Sequence, residues 1–426
     1  MKIKYTISFV FIIAVVIIEK ESNILSKVSD KLSLKQTPQT PLSWFHLRQN
    51  VSSVQILPEI DFSTYLEAKW HSKNTTEPSA GGKHILLLAM TRTGSSFVGQ
   101  FFNQHGDNMF YLYEPLWHVE RMLTVENKGT NASVLTQIYR DVLRQLFLCD
   151  FSMLEDFIQP PPKNHLTVSL FRRESSQSLC DDPVCTPFVR KVYERYHCRN
   201  RHCGPLNLTL ASQSCLGKEH HAVKSVRIRQ VETLRPLAED PRLDMKFIQL
   251  VRDPRAMLAS RMVAFASKYE HWKQWERAGD IPEDDDEVRK LRGNCENIRM
   301  SAEAGLRQPH WLRGRYMLVR YEDIAMFPMR KAVEMYRFTG VPFTSKVKDW
   351  ILQNTQASNP SGGVYSTQKD SSQQVEKWRF NMPFKLVQMV QRVCGPAMNL
   401  FGYTFAENEE MLTNKLISLI EGRTFL

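Results

Sequence analysis

An α/β fold with a central, mostly parallel sheet flanked by helices is what this 426-residue sequence predicts. Three observations carry that reading. Short apolar runs, suited to strands buried on both faces, recur at 85–90, 109–113, 246–251 and 316–319. Two of them, the first and the third, pass through a small turn into a stretch with helical spacing. Both turns carry arginine, and they fall where open α/β sheets collect functional groups, beyond the carboxyl ends of strands.

Taken from its start, the chain opens with Tyr5 to Ile18, an almost unbroken apolar run with Lys2 and Lys4 before it and Glu19-Lys20-Glu21 after it. As a helix it spans about 21 Å, short of a hydrocarbon core of about 30 Å. Snorkelling lysines and a thin early-secretory bilayer can close that gap. A cleaved signal peptide is the competing reading, but no small-x-small site follows the run. The expectation is an uncleaved signal anchor at 5–18, a cytoplasmic tail at 1–4 and a lumenal remainder, as lysines before the span dictate. Residues 19–82, with scattered Pro, Ser, Thr and Lys, read as a stem. The catalytic domain is then 83–426. Four sequons, at Asn50, Asn74, Asn131 and Asn207, fit lumenal exposure and mark candidate glycosylation sites.

Ile85 to Met90 reads as the first strand. Thr91-Arg92-Thr93-Gly94-Ser95-Ser96 interrupts it, and Phe97, Val98, Phe101 and Phe102 resume on one face of a helix. Strand, small polar turn and helix make a phosphate cradle: Gly94 permits close backbone approach, and the first helical N–H groups point at an anion. An ordinary Ser-capped turn is the plainer alternative. The loop lacks Gly-x-x-x-x-Gly-Lys-Ser/Thr, which disfavours a nucleotide-dependent kinase.

Met109 to Tyr113 is the second strand, and Glu114-Pro115-Leu116-Trp117-His118 follows it. Glu114 therefore belongs beside the cradle, where a carboxylate is costly unless a cation such as Arg92 pairs with it. His118 is a rival base, although a lone histidine more often packs. Val134 to Phe157 reads as a structural helix ended by Pro160-Pro161-Pro162. Arg172 to Arg229 holds 11 Lys/Arg against 5 Asp/Glu and five of the eight cysteines. Cys180, Cys185, Cys198 and Cys203, with His197 and His202, could form a metal knuckle, but an oxidising lumen favours disulfides. Eight cysteines allow 105 pairings. The basic segment reads either as a groove for acidic glycan or as a stapled, solvated insertion. The net charge of +11 likewise suits an acidic partner without choosing among polyanionic sugar, nucleic acid and membrane.

Lys246 to Val251 is the third strand. Arg252-Asp253-Pro254-Arg255 follows, with a helix from about Arg255 to Tyr269 that Asp253 can cap and Pro254 can open. Glu276 to Glu287, with seven acidic residues, reads as an exposed loop. After the strand at Tyr316, Arg320 to Asp323 reads as polar residues capping a helix. Asn359 to Gln374 reads as a loop, and Leu386 to Val393 as a last amphipathic core helix.

Two of these segments resemble a known family. Thr91-Arg92-Thr93-Gly94-Ser95-Ser96-Phe97 is similar to the 5′-phosphosulfate loop of Golgi carbohydrate 6-O-sulfotransferases. Arg252-Asp253-Pro254-Arg255-Ala256-Met257-Leu258-Ala259-Ser260 resembles that family's 3′-phosphate motif, in which the leading Arg and the Ser eight positions on hold the nucleotide. Roughly Lys83 to Thr404 is covered, and the wording at Tyr113 to His118 resembles the chondroitin 6-O-sulfotransferases, with keratan-sulfate galactose 6-O-sulfotransferases as neighbours.

The resemblance implies a P-loop-like sulfotransferase fold, 3′-phosphoadenosine 5′-phosphosulfate (PAPS) as donor, no metal, and a glycosaminoglycan acceptor rather than nucleic acid. It implies a Golgi single-pass type II membrane protein with its catalytic domain in the lumen. It places the amides of residues 93 to 97 on the 5′-phosphate and Arg252 and Ser260 on the 3′-phosphate. Arg92 stands where cytosolic relatives carry a catalytic lysine and would act electrostatically, since Arg does not give up its proton. Glu114 is the candidate base for the sugar hydroxyl. Arg320 to Asp323 would border the nucleotide, and Lys377-Trp378-Arg379 would close over it. A non-catalytic lumenal lectin is the other class to weigh, but it has no use for a strand-end cradle.

Overall fold

The computed structural model describes residues 81–126, 132–155, 170–185, 206–270, 272, 281–282, 284–355 and 371–425. The expected anchor, the stem up to residue 80, the sequons at Asn50, Asn74 and Asn131, and residues 359–370 of the expected loop lie outside these residues. Among the described residues no helix is long and apolar enough to cross a membrane.

Five strands, all parallel, form one sheet in the order β2-β3-β1-β4-β5. They are β1 (His84–Ala89), β2 (Met109–Tyr113), β3 (His220–Ser225), β4 (Met245–Val251) and β5 (Tyr316–Arg320). The helices used below are α1 (Ser95–Asn103), α2 (Leu116–Glu126), α3 (Ala132–Phe147), α4 (Leu208–Leu216), α5 (Pro254–Ala264), α6 (Asp286–Leu306), α7 (Tyr321–Met326), α8 (Pro328–Thr339), α9 (Ser345–Thr355) and α10 (Phe384–Phe401).

The apolar run of β1 has the form it does because both of its faces are covered. Leu86 and Leu88 join one core with α2, α3, α6 and α10, while Ile85, Leu87 and Ala89 join another with α1, α8 and α9. Phe101 and Phe102 of α1 are fully buried in the second core, each stabilising the fold by roughly 2–3 kcal/mol. Disulfides Cys149–Cys215 and Cys295–Cys394 staple the first core, and Cys180 and Cys185 are disulfide-bonded as well. The group Cys149, Cys215 and His221 has metal-like spacing, but both sulfurs are committed to the disulfide.

Several expectations need correction. The helix read over 134–157 ends at Phe147, because Cys149 takes a left-handed backbone (φ 58°) to reach Cys215. The helix read to Tyr269 ends at Ala264 and gives way to a 3₁₀ turn at Ala266–Tyr269. The acidic stretch before Glu287 is partly the start of α6, because Asp285 caps it by accepting from the Glu287 and Val288 amides. The largest miss is β3. It lies inside the basic segment and reads His-His-Ala-Val-Lys-Ser, a polar run that is nonetheless wholly buried between β1 and β2.

Candidate active site

The site is assembled at the carboxyl ends of the strands, and the sheet register decides which residues meet. Ala89 lies opposite Leu250, so the turns after β1 and β4 emerge side by side. Arg252 donates from Nη1 to the carbonyl of Arg92 (3.1 Å), and Arg92 donates from Nε to Ser260 Oγ (2.9 Å). The turns after β1 and β4 therefore form one continuous surface, although they are separated by a long stretch of chain.

The cradle is built by backbone strain. Gly94 caps α1 in the left-handed region (φ 91°), and Arg92 is also left-handed (φ 76°), a conformation that costs a non-glycine residue about 1 kcal/mol or more. A Cβ at position 94 would sit 2.3 Å from the Tyr321 ring, so only glycine fits. Thr93 and Ser95 are buried, and Thr93 Oγ1 donates to the Met90 carbonyl. Ser96 shares a hydrogen bond with Tyr113 Oη (2.7 Å), and Phe97 is packed in the core. Thr91 is exposed at the lip. No side chain caps α1; of the expected amides 93 to 97, those of Thr93 and Phe97 already donate to the Met90 and Gly94 carbonyls, which leaves the ones between them at the uncapped helix end for an anion.

The second turn divides its labour. Asp253 accepts from the Arg255 amide and pairs with the buried Arg255 guanidinium, which also donates to Gln391 and Thr404 and lies over Trp378. Asp253 to Leu258 are all buried, so their side chains support the turn. Arg252, Ala259 and Ser260 are the residues left partly exposed. The Arg252 guanidinium stacks over the Tyr321 ring (4.5 Å), and its Nε is buried without a hydrogen-bond partner. An orphaned buried donor beside an uncapped helix end suits a polyanionic ligand.

Glu322, read as a helix-capping group, and Arg379, read within a segment that closes over the nucleotide, are both buried. Glu322 is not an ordinary cap: it is buried, and accepts from the Asp253 amide (3.0 Å) and from Tyr403 Oη (2.8 Å). Burial pushes its carboxyl above the usual range. Arg379 does not reach over the site but donates to the carbonyls of Met411, Leu412, Asn414 and Ile417.

Glu114 sits at the β2 end of the same edge, again with a left-handed backbone (φ 47°). Its partner is not Arg92. Register pairs Tyr113 with Lys224, and the Glu114 amide donates to the Lys224 carbonyl. One carboxylate oxygen then takes the Lys224 ammonium and the other takes Arg227 (2.9 Å). Burial would raise the Glu114 carboxyl, but Lys224, Arg227 and Arg172 outweigh it and hold it below the usual carboxylate range. Lys224 is itself buried, with its ammonium 4.3 Å from the centre of the Tyr113 ring. Sequence reading missed Lys224 and Arg227; the one signal available was their place in the basic segment. His118 is buried in α2. Asn207 is exposed at the start of α4, where its Oδ1 caps the helix by accepting from Leu210.

This combination of an all-parallel sheet, an uncapped glycine cradle and a neighbouring arginine turn defines a class. A family model described as the sulfotransferase domain matches residues 82–402. Among curated proteins, carbohydrate sulfotransferase 3 of Rattus norvegicus is 56% identical, covering 99% of this chain and 94% of its own length. Carbohydrate sulfotransferase 3 of Tetronarce californica is 52% identical over 100% and 99%, and carbohydrate sulfotransferase 1 of Mus musculus 46% over 80% and 84%. The chain belongs to the carbohydrate sulfotransferases. Its donor is accordingly PAPS, and the residues just described fit that ligand. Solved structures with likeness include the sulfotransferase domain of a Synechococcus olefin synthase (14% identity, TM-score 0.36, covering 75% of this chain and 98% of that one). Another is retinol dehydratase in complex with retinol and PAP (12%, TM-score 0.34, 76% and 82%).

Proposed function

We propose that this enzyme transfers a sulfuryl group to the 6-hydroxyl of N-acetylgalactosamine in chondroitin, working in the Golgi lumen as a type II membrane protein. The observation that carries the catalytic part is the contact of the two anion turns through Arg92, Arg252 and Ser260, which gives one donor molecule two phosphate sites. The choice of acceptor rests on the Tyr113 to His118 wording and on higher identity to the type 3 than to the type 1 relatives. The lumenal part rests on the apolar run at 5–18, the sequons and the disulfides.

The α1 amides and Ser96 hold the 5′-phosphate, while Arg252 and Ser260 hold the 3′-phosphate. Arg92 stabilises charge that builds on the bridging oxygen as the sulfuryl group leaves. Glu114 takes the proton of the attacking hydroxyl, a contribution of about 10²–10⁴-fold. Its cationic partners keep it ionised at every physiological pH, at the cost of some basicity.

The test offers the lumenal fragment PAPS with desulfated chondroitin and with desulfated keratan, and maps each new sulfate. Label at C6 of N-acetylgalactosamine is expected. Label on galactose alone would replace this acceptor with the keratan reading.

A further inference from the structure

Beside the donor turns lies a cavity of about 270 Å³ that the reaction just described does not use. It opens between the end of β1, the segment after β3, α5 and α6, with Thr91 of the cradle in its wall. Three cations line it: Arg229, Arg261 and Lys268. The single carboxylate in the lining, Glu287, is already paired with Lys290 (2.8 Å). The neutral polar groups lean the same way. Asn294 accepts through Oδ1 from Arg229, and Asn297 accepts through Oδ1 from Gln230, so each amide contributes its NH₂ as a donor. Arg261 reaches the Thr91 carbonyl (3.3 Å), tying the cavity wall to the lip of the cradle. Lys268 has no carboxylate partner among the described residues, and Arg229 is exposed. A pocket whose described lining carries three cations against one carboxylate, which Lys290 and Tyr269 already engage, and which lies one step from the sulfuryl donor, suits an anion carried by the acceptor.

We infer that this cavity binds an acidic substituent on the sugar next to the one being sulfated, so that the enzyme reads its acceptor by a neighbouring negative charge. The inference rests on the glycosaminoglycan reading above. The shared chemistry is an anionic sugar substituent: the uronate carboxylate in chondroitin, or a sulfate ester in keratan sulfate.

The experiment measures KM of the full lumenal enzyme for chondroitin and for carboxyl-reduced chondroitin, and for keratan sulfate before and after desulfation. The same series is run on Arg229→Ala and Lys268→Ala, with PAPS-induced thermal stabilisation as the check on folding. Removing the charge from the acceptor is expected to raise the wild-type KM about fivefold or more. Each variant should raise KM for the charged acceptor and shrink the difference between charged and neutral forms. A difference within the chondroitin pair identifies the carboxylate, and one confined to the keratan pair identifies the sulfate ester; either supports the inference. Equal KM values within both pairs for the wild type, with no change in the variants, would overturn it. New sulfate at C6 of N-acetylgalactosamine in that same experiment would leave the proposed function standing.

Discussion

The two ends of the parallel sheet are both polar, yet they are opposite in kind. At the carboxyl ends the groups are charged: Arg92, Glu114, Lys224 and Arg252 crowd one edge, and two of them hold left-handed backbones. At the amino ends, and in the loop before β2, lie four buried histidines, His84, His105, His220 and His221. Burial lowers the pKa of all four, to about 4 for His84 and His105. His84 Nδ1 accepts from the Asp244 amide (3.1 Å), a bond only the unprotonated nitrogen can make. One end gathers charge and left-handed backbone. The other is kept neutral and serves stability.

Gly94→Ala should break the charged end most completely. The new Cβ meets Tyr321 at 2.3 Å on a left-handed backbone, so turnover should fall by about 10³-fold or more, with PAPS-induced thermal stabilisation lost. Stabilisation by PAPS at the wild-type concentration would show that the cradle is not where the donor sits.

Glu114→Gln comes next, with kcat lowered about 10²–10³-fold while PAPS still binds. Because the carboxyl is held below its usual range, activity should persist on acidification until the pH drops under that range. Lys224→Met should move that acid limb upward. An acid limb unmoved by the lysine change would remove Glu114 as the titrating base.

Arg252→Ala should weaken PAPS about 10- to 100-fold with little change in melting temperature, as read by calorimetric titration. Unchanged donor affinity would contradict the 3′-phosphate assignment.

The smallest effect probes the neutral end. A histidine whose folded pKa is depressed binds more protons when unfolded, so stability is fully present above pH 6.5 and is lost as pH falls toward about 4. For His84 and His105 the loss is on the order of 3 kcal/mol each at most. Denaturant midpoints taken between pH 7 and pH 4 should show it, and His105→Gln should flatten the slope. A pH-independent midpoint would mean that these histidines have the same pKa folded and unfolded, and that burial does not depress it.

What the sequence determined by itself was local. Apolar runs placed four of the five strands because burial on both faces demands unbroken hydrophobicity, and Gly94 with its hydroxyl neighbours announced an anion turn because few other residues tolerate that backbone. Arg252 and Ser260 were singled out only because their segment resembles the family's 3′-phosphate motif. Tertiary structure decided the rest. His-His-Ala-Val-Lys-Ser became a central strand because its polar side chains find partners across the sheet that no linear pattern displays. Register, not proximity in the chain, gave Glu114 to Lys224 and Arg227, and turned Arg255 inward while Arg252 stayed at the surface. Charge pairing and burial are properties of neighbours in space, and only folding supplies those neighbours.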